Sequence, residues 1–278
     1  MLDNREEGKD ELAQAKLVML KLLRVFDDIC RKNNLNYWLD GGTLIGAIRH
    51  NGFIPWDDDI DVAMLYDDYE KFINLAPQEL PNDVFLQTRK SDREYPLFFA
   101  KLRDKYSTYE EENVTHLHCH KGIFIDIFPM DYVKHSCIQR NMKLLLHGTN
   151  YSKLHSSVKS FVQRIIGRFN RKMILLFKLP VFQCLNRMFH ADYHNASKLA
   201  YCMEVNEVFQ YSKESVFPLK EHVFEGYKFF IPTNYDAYLK EYFGDYMQLP
   251  PKDKRYVHNV GIDPFTPCNH KDILHWKK

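Results

Sequence analysis

Eleven consecutive residues constrain this chain more than any others: Ile54-Pro-Trp56-Asp57-Asp-Asp59-Ile-Asp61-Val-Ala-Met64. Written as a strand, the segment sends alternate side chains to opposite faces. Ile60, Val62 and Met64 then face a core, and Asp57, Asp59 and Asp61 share the other side. Carboxylates on one face repel each other unless a cation binds or water screens them. A solvated acidic turn does not account for the apolar residues between the acids, or for Pro55-Trp56 in front of them. A divalent-cation site does, because oxygen ligands suit hard ions such as Mg2+.

Three further segments carry chemistry. Asp40-Gly41-Gly42-Thr43 lies between a strand at Tyr37-Trp38-Leu39 and a short helix from Thr43 to Arg49. A glycine pair that breaks a strand before a helix lets backbone N–H groups approach a phosphate. Alone the pair is only a turn signal; followed by Asp59-x-Asp61 it gives the order of a nucleotidyltransferase fold, a phosphate cradle and then two carboxylates on a strand. In Gly122-Ile-Phe-Ile-Asp126-Ile-Phe-Pro129, alternation places Asp126 beside Phe124 and Phe128. A carboxylate on an apolar face needs a partner. That partner is a cation shared with Asp59 and Asp61, a substrate proton if Asp126 is a base, or a buried N–H or Arg. Lys101 and Arg103 share one face of the strand-like Phe98–Arg103 and are either phosphate ligands or plain surface cations.

The elements mix. Apolar residues at spacings of three and four predict a helix over 9–33, stopped by Asn33-Asn34, and a second over 67–76 begun by Asp67 or Asp68. Strands are expected at 57–64, Val84–Thr88, Phe98–Arg103 and Gly122–Phe128, and a late helix at Tyr235–Phe243. This pattern predicts an α+β (mixed α/β) layer structure. The expected organisation is a catalytic core over 1–133, a helical lobe over 134–215 and a C-terminal segment over 216–278 that packs back on the core. Between Asp131 and Asp192 there is no acid and there are 11 cations, although Lys+Arg 38 nearly balance Asp+Glu 37 overall. With that balance and no RNA-type motif, no nucleic-acid partner is expected. The basic segment, with Arg164, Arg168, Arg171 and Lys172 among its apolar residues, reads either as a peripheral contact with an anionic membrane or as an internal counter-charge. The N-terminus is acidic and polar, and the six cysteines form no CxxC pair. A reduced, cytoplasmic protein is therefore expected, with the inner face of the cell membrane as its peripheral station.

The run YWLDGGTLIGAIRHNGFIPWDDDIDVAM, followed by DDYEKF, FAKLRD, GIFIDIFPMD and YDAYLKEYFGDYMQLPP, resembles the LicD family of phosphocholine transferases. The likeness covers about 20–133 and 224–258; the fukutin-type sugar-phosphate transferases share its PWDxDxD core. The resemblance implies a nucleotidyltransferase-like fold that moves phosphocholine from CDP-choline to a sugar hydroxyl of a lipid-linked cell-surface glycan. It implies Mg2+ or Mn2+ held by Asp57, Asp59, Asp61 and Asp126, with Asp59, Asp61 and Asp126 as the catalytic acids. Gly42, Thr43, Arg49, Lys101 and Arg103 would serve the phosphates. Trp56, Tyr37 and Trp38 beside the motifs would meet the quaternary ammonium, which offers no hydrogen-bond donor and is held by cation–π contact; ordinary core packing is the other role for these aromatics. Arg255 and His258 near the tail are further candidates to meet the nucleotide, although no spacing argument places them. His116, His118, Cys119 and His120 read as a loop, since no second ligand pair accompanies them to make a zinc site. Rival activities are transfer from another CDP-linked donor and glycosyl transfer through the DxD; a non-catalytic nucleotide sensor is the rival of another class.

Overall fold

The structure, a computed structural model, describes residues 3–111, 115, 117–133, 196–202, 210–255 and 259–268. The chain forms two compact units, Met1–Pro129 with Glu214–Lys278, and Met130–Lys213. The first unit mixes helices and strands, an α+β architecture, and the described residues of the second contribute strands. The basic segment and His258 lie outside the described residues. Among the described residues no helix is long and apolar enough to cross a membrane.

In the first unit, α1 (Glu11–Lys32) opens on Asp10, whose carboxylate accepts the Ala13 N–H at 2.8 Å. It buries Ala15, Val18, Met19, Leu22, Phe26, Ile29 and Cys30, the apolar stripe of the sequence. The helix ends at Asn33, and Asn34 follows with φ +52°. β1 (Tyr37–Leu39) leads into α2 (Gly41–His50), and β2 (Asp61–Leu65) into α3 (Tyr66–Glu79). β3 (Val84–Gln87), β4 (Ala100–Asp104) and β6 (Phe124–Val133) complete a sheet ordered β1-β2-β6-β4-β3, and β5 (Thr108–Glu111) stands apart from it. The register sets Lys101 on β4 opposite Asp126 on β6. In the second unit, Met130–Val133 at the end of β6 pairs antiparallel with β7 (Lys198–Tyr201), which pairs with β8 (Tyr211–Ser212).

The late residues of the first unit add a hairpin, β9 (Lys220–Phe224) and β10 (Tyr227–Ile231), turned by Glu225 and Gly226 at φ +50° and +79°. α4 (Tyr235–Phe243) follows, and β11 (Asn259–Asp263) pairs with β5. The sequence reading differs at three places. Gly41 and Gly42 begin α2 instead of breaking the chain before it. The strand of the acidic motif starts only at Asp61. Leu65, not an aspartate, precedes α3.

Phe26 sits at the centre of the core, unexposed, with Tyr37 and Phe72 each edge-on to it at 4.9 Å. Phe26→Ala should lower the unfolding free energy by about 3–5 kcal/mol, because the cavity adds to the lost transfer energy; urea unfolding followed by circular dichroism checks it.

Candidate active site

The acidic motif is a loop that enters a strand. Asp57 to Ile60 join no ladder, yet the alternation persists in their burial: Asp58, Ile60 and Val62 are buried, and Asp57, Asp59 and Asp61 keep partial exposure. Carboxylate oxygens of Asp57, Asp58 and Asp59 lie within 4.8 Å of one another. The loop is fastened from outside. Lys16 on α1 donates to the carbonyls of Ile54 at 2.9 Å and Pro55 at 3.0 Å. Glu225 at the hairpin turn accepts the Phe53 N–H at 3.0 Å and donates its own N–H to Asn51 at 2.9 Å. The Arg255 guanidinium lies over the Trp56 ring at 4.0 Å.

Helix α2 aims its N-terminus at these acids. A Cβ on Gly41 would stand 2.8 Å from Asp61 Oδ2, and one on Gly42 2.8 Å from Asp57 Oδ2. Two carboxylates therefore fill the space that side chains would take, at the end of the helix where the peptide dipoles favour negative charge. Asp40 caps the helix through Gly41 N and accepts the Tyr238 hydroxyl at 2.8 Å. Thr43 is buried, and its hydroxyl accepts the Asp61 N–H at 2.8 Å, fixing the start of β2. Ile60 O accepts the Asp126 N–H at 2.8 Å, which joins the third acid to the motif.

Burial and the neighbouring acids raise these groups. Burial, with Asp59 and Asp58 nearby, lifts Asp57 to about 7. Burial, with Asp59, Asp126, Asp40 and Asp57, drives Asp61 well above the carboxylate range. Burial lifts Asp126 to about 6 against the pull of Lys101. Asp126 Oδ1 lies 3.0 Å from Lys101 Nζ but off the line of a hydrogen bond, so a buried acceptor remains unused. An under-satisfied carboxylate among others, in a cradle only glycine can line, fits a hard divalent cation. A second acidic trio, Asp3, Asp83 and Asp104, shows the alternative. There Arg5 reaches Asp3 and Asp104, and Lys21 reaches Asp3 and Asp83, so the protein supplies its own cations.

Lys101 and Arg103 share a face, as alternation requires, and that face is interior. Each is 1 % exposed. Lys101 pairs with Glu111 and Asp126, both at 3.0 Å. Arg103 pairs with Glu111 at 2.9 Å and donates to Gln87 and to the Gly122 carbonyl. Its donors are turned inward, so it is not the open phosphate ligand that the sequence suggested. Although burial opposes ionisation, Lys101 and Arg103 hold Glu111 down at about 2.

Two aromatic assignments are corrected. Tyr37 and Trp38 have no exposed surface: the Tyr37 hydroxyl donates to Asp27, and Trp38 Nε1 donates to Tyr238 while its ring meets Phe217 edge-on. Neither has a face open to a ligand. Trp56 is half-buried, and Arg255 covers its ring. Arg49 is half-buried at the end of α2 and donates to the Tyr246 carbonyl at 2.8 Å. Within the histidine cluster, His120 is buried against Phe85 and its Nδ1 accepts the Gly122 N–H. Sequence reasoning missed Lys16, Asp58, Glu111 and Asn259. Only Asp58 carried a signal, as an aspartate on the core-facing side of the alternation.

Gly41→Ala should destabilise by at least about 1–2 kcal/mol from its φ of +51° alone, with the displaced Asp61 adding to that, as thermal unfolding will report. Glu111 gives a pH signature. Its folded pKa of about 2 lies below the model-peptide 4.5, so its contribution is full above about pH 4.5 and is lost as pH falls towards 2. In Glu111→Gln that part of the acid-side slope should vanish from stability measured against pH, while near neutrality the variant is less stable than the parent.

The chain is similar to several known proteins. The LicD/FKTN/FKRP nucleotidyltransferase domain matches residues 34–162. The lipopolysaccharide cholinephosphotransferase LicD of Haemophilus influenzae is 30% identical over 269 residues, covering 90% of this chain and 96% of that protein. An uncharacterized protein of Rickettsia prowazekii is 39% identical over 97 residues, 35% of each chain. The human ribitol 5-phosphate transferase FKRP is 50% identical over 34 residues, 12% of this chain and 7% of that one. With an acid-lined helix N-terminus on an α+β core and this extent of identity, the chain belongs to the LicD family and is a phosphotransferase.

Proposed function

We propose that the protein transfers phosphocholine from CDP-choline to a sugar hydroxyl of a cell-surface glycan (a teichoic acid, lipopolysaccharide or capsule precursor), with CMP as the leaving group. The observation that supports this best is the convergence of Asp57, Asp59, Asp61 and Asp126 at the N-terminus of α2, alongside the extended similarity to a cholinephosphotransferase. Asp57, Asp59 and Asp61 would hold Mg2+ or Mn2+, with Asp126 at the edge of the set. Bound there, the ion would neutralise diphosphate oxygens as charge moves onto CMP.

The protein's own groups do the rest. The acceptor hydroxyl attacks the phosphorus that bears choline, and the bond from that phosphorus to the CMP oxygen breaks. Asp126 Oδ1, buried and raised to about 6, takes the hydroxyl proton. Lys101 keeps that carboxylate in place from the facing strand. Gly42 N–H and Arg49 lie on the phosphate side, where Arg49 is the half-exposed cation closest in sequence to the loop. Thr43 serves indirectly, by fixing Asp61. Trp56 already stacks against one cation, Arg255, and its ring is the aromatic surface suited to a trimethylammonium group. The acceptor is lipid-linked, and the protein works in the cytoplasm at the inner membrane face, where the basic segment would meet anionic lipid.

Product analysis by phosphorus NMR with CDP-choline, Mg2+ and a glycan acceptor tests the reading; CMP and a phosphocholine ester should appear together. Asp59→Asn and Asp61→Asn should each lower turnover roughly 10³-fold or more, with circular dichroism unchanged. Turnover that survives EDTA would sink the metal assignment, and a preference for CDP-glycerol or a CDP-alditol would move the donor.

A further inference from the structure

Asp58 sits between two proposed metal ligands and behaves unlike either. It has no exposed surface, whereas Asp57 and Asp59 keep some. Three donors converge on its Oδ2: the Tyr109 hydroxyl at 2.7 Å, the Asn259 backbone N–H at 2.9 Å and Asn259 Nδ2 at 2.6 Å. Hydrogen bonds of this kind balance a buried carboxylate without a metal. All three come from one two-stranded unit, β5 with β11, and two of them come from a single residue, a grip that fixes direction as well as distance.

We propose that Asp58 is a positioning residue that anchors the metal loop to the β5–β11 pair and sets the angle at which Asp57 and Asp59 present their carboxylates. Residues 57–60 join no strand, so no ladder fixes those side chains. Asp57 and Asp59 flank Asp58 in the chain and their carboxylate oxygens lie within 4.8 Å of its own, so holding Asp58 limits where both neighbours can point. The same pair also reaches Asp126, through two ion pairs. Glu111, opposite Asn259 in the register, pairs with Lys101, and Lys101 pairs with Asp126. One small sheet thus supports both halves of the carboxylate set. Groups behind metal ligands commonly govern affinity in this way.

The inference rests on the metal reading above, and the test separates the two. Tyr109→Phe and Asn259→Ala each remove one donor to Asp58 and leave every proposed ligand intact. Mn2+ binding without donor or acceptor is measured by electron paramagnetic resonance and titration calorimetry, with the metal-free thermal midpoint and circular dichroism of each variant alongside. In each folded variant the Mn2+ Kd should rise about 10-fold or more. Unchanged affinity with a lowered midpoint would make the contact merely structural and overturn the proposal. Tighter binding would overturn it too, since it would mean that Asp58 had been freed to act as a ligand. A wild-type protein that binds no Mn2+ would instead bring down the metal reading, and the positioning role with it. Either variant alone decides the question if the other fails to fold.

Discussion

The repulsion among Asp57, Asp59, Asp61 and Asp126 is the constraint on which the rest of the unit depends. Burial first, and the neighbouring acids after it, raise Asp57, Asp61 and Asp126. A segment carrying three of those charges cannot be expected to fold onto its neighbours by itself. What holds it is apolar burial at Ile54, Ile60 and Val62, together with polar contacts beside the clustered acids: Lys16 and Glu225 on the backbone, Thr43 on the Asp61 N–H, and Tyr109 and Asn259 on Asp58. Glycine at 41 and 42 then lets the helix dipole come close enough to offset part of the charge.

The two acidic trios of this unit show how context decides the use of a carboxylate. Asp3, Asp83 and Asp104 surround Arg5 and Lys21, and breaking such a buried network by removing a cation leaves charge uncompensated. Asp57, Asp58 and Asp59 divide the task instead. The middle acid is satisfied by neutral donors, and its neighbours keep partial exposure. Asp126 lies between the two cases: Lys101 faces it across the ladder, yet Oδ1 keeps an unused lone pair. Lys101 lies near both of its oxygens, and burial raises the group to about 6 against that pull.

Much of this was legible in the sequence because it is periodic. The α1 stripe, the Tyr235–Phe243 helix and the alternation from Asp57 to Val62 follow from spacing alone. The errors came where tertiary contacts override local signals. Gly41-Gly42 carries the mark of a chain break, but Asp40 caps the helix directly at Gly41, so the glycines become its first turn. Lys101 and Arg103 were correctly placed on one face, but whether that face is wet or buried depends on Glu111, which belongs to a strand outside the sheet. Tyr37 and Trp38 lie beside the motif in the chain, yet they point into the core against Asp27 and Tyr238. Proximity in sequence was the wrong warrant for them. Asn259 and Glu225 were illegible, because no local pattern announces a donor or an acceptor that acts some 200 or 172 residues away.

Those distant contacts also bear on why similarity to the Haemophilus influenzae LicD spans 90% of the chain when the nucleotidyltransferase domain matches only 34–162. Every residue of the carboxylate set lies inside the shorter span. The groups that hold it do not. Tyr238 reaches Asp40, Asn259 reaches Asp58, Glu225 reaches the loop at Phe53 and Arg255 covers Trp56, all from residues after 213 and all within one compact unit. Each is a directional contact to a residue at or beside the acids. A chain ending at 162 would keep the four carboxylates and lose their orientation. The compact unit is therefore longer than the matched domain: the early residues supply the acids, and the late ones fix how those acids are presented.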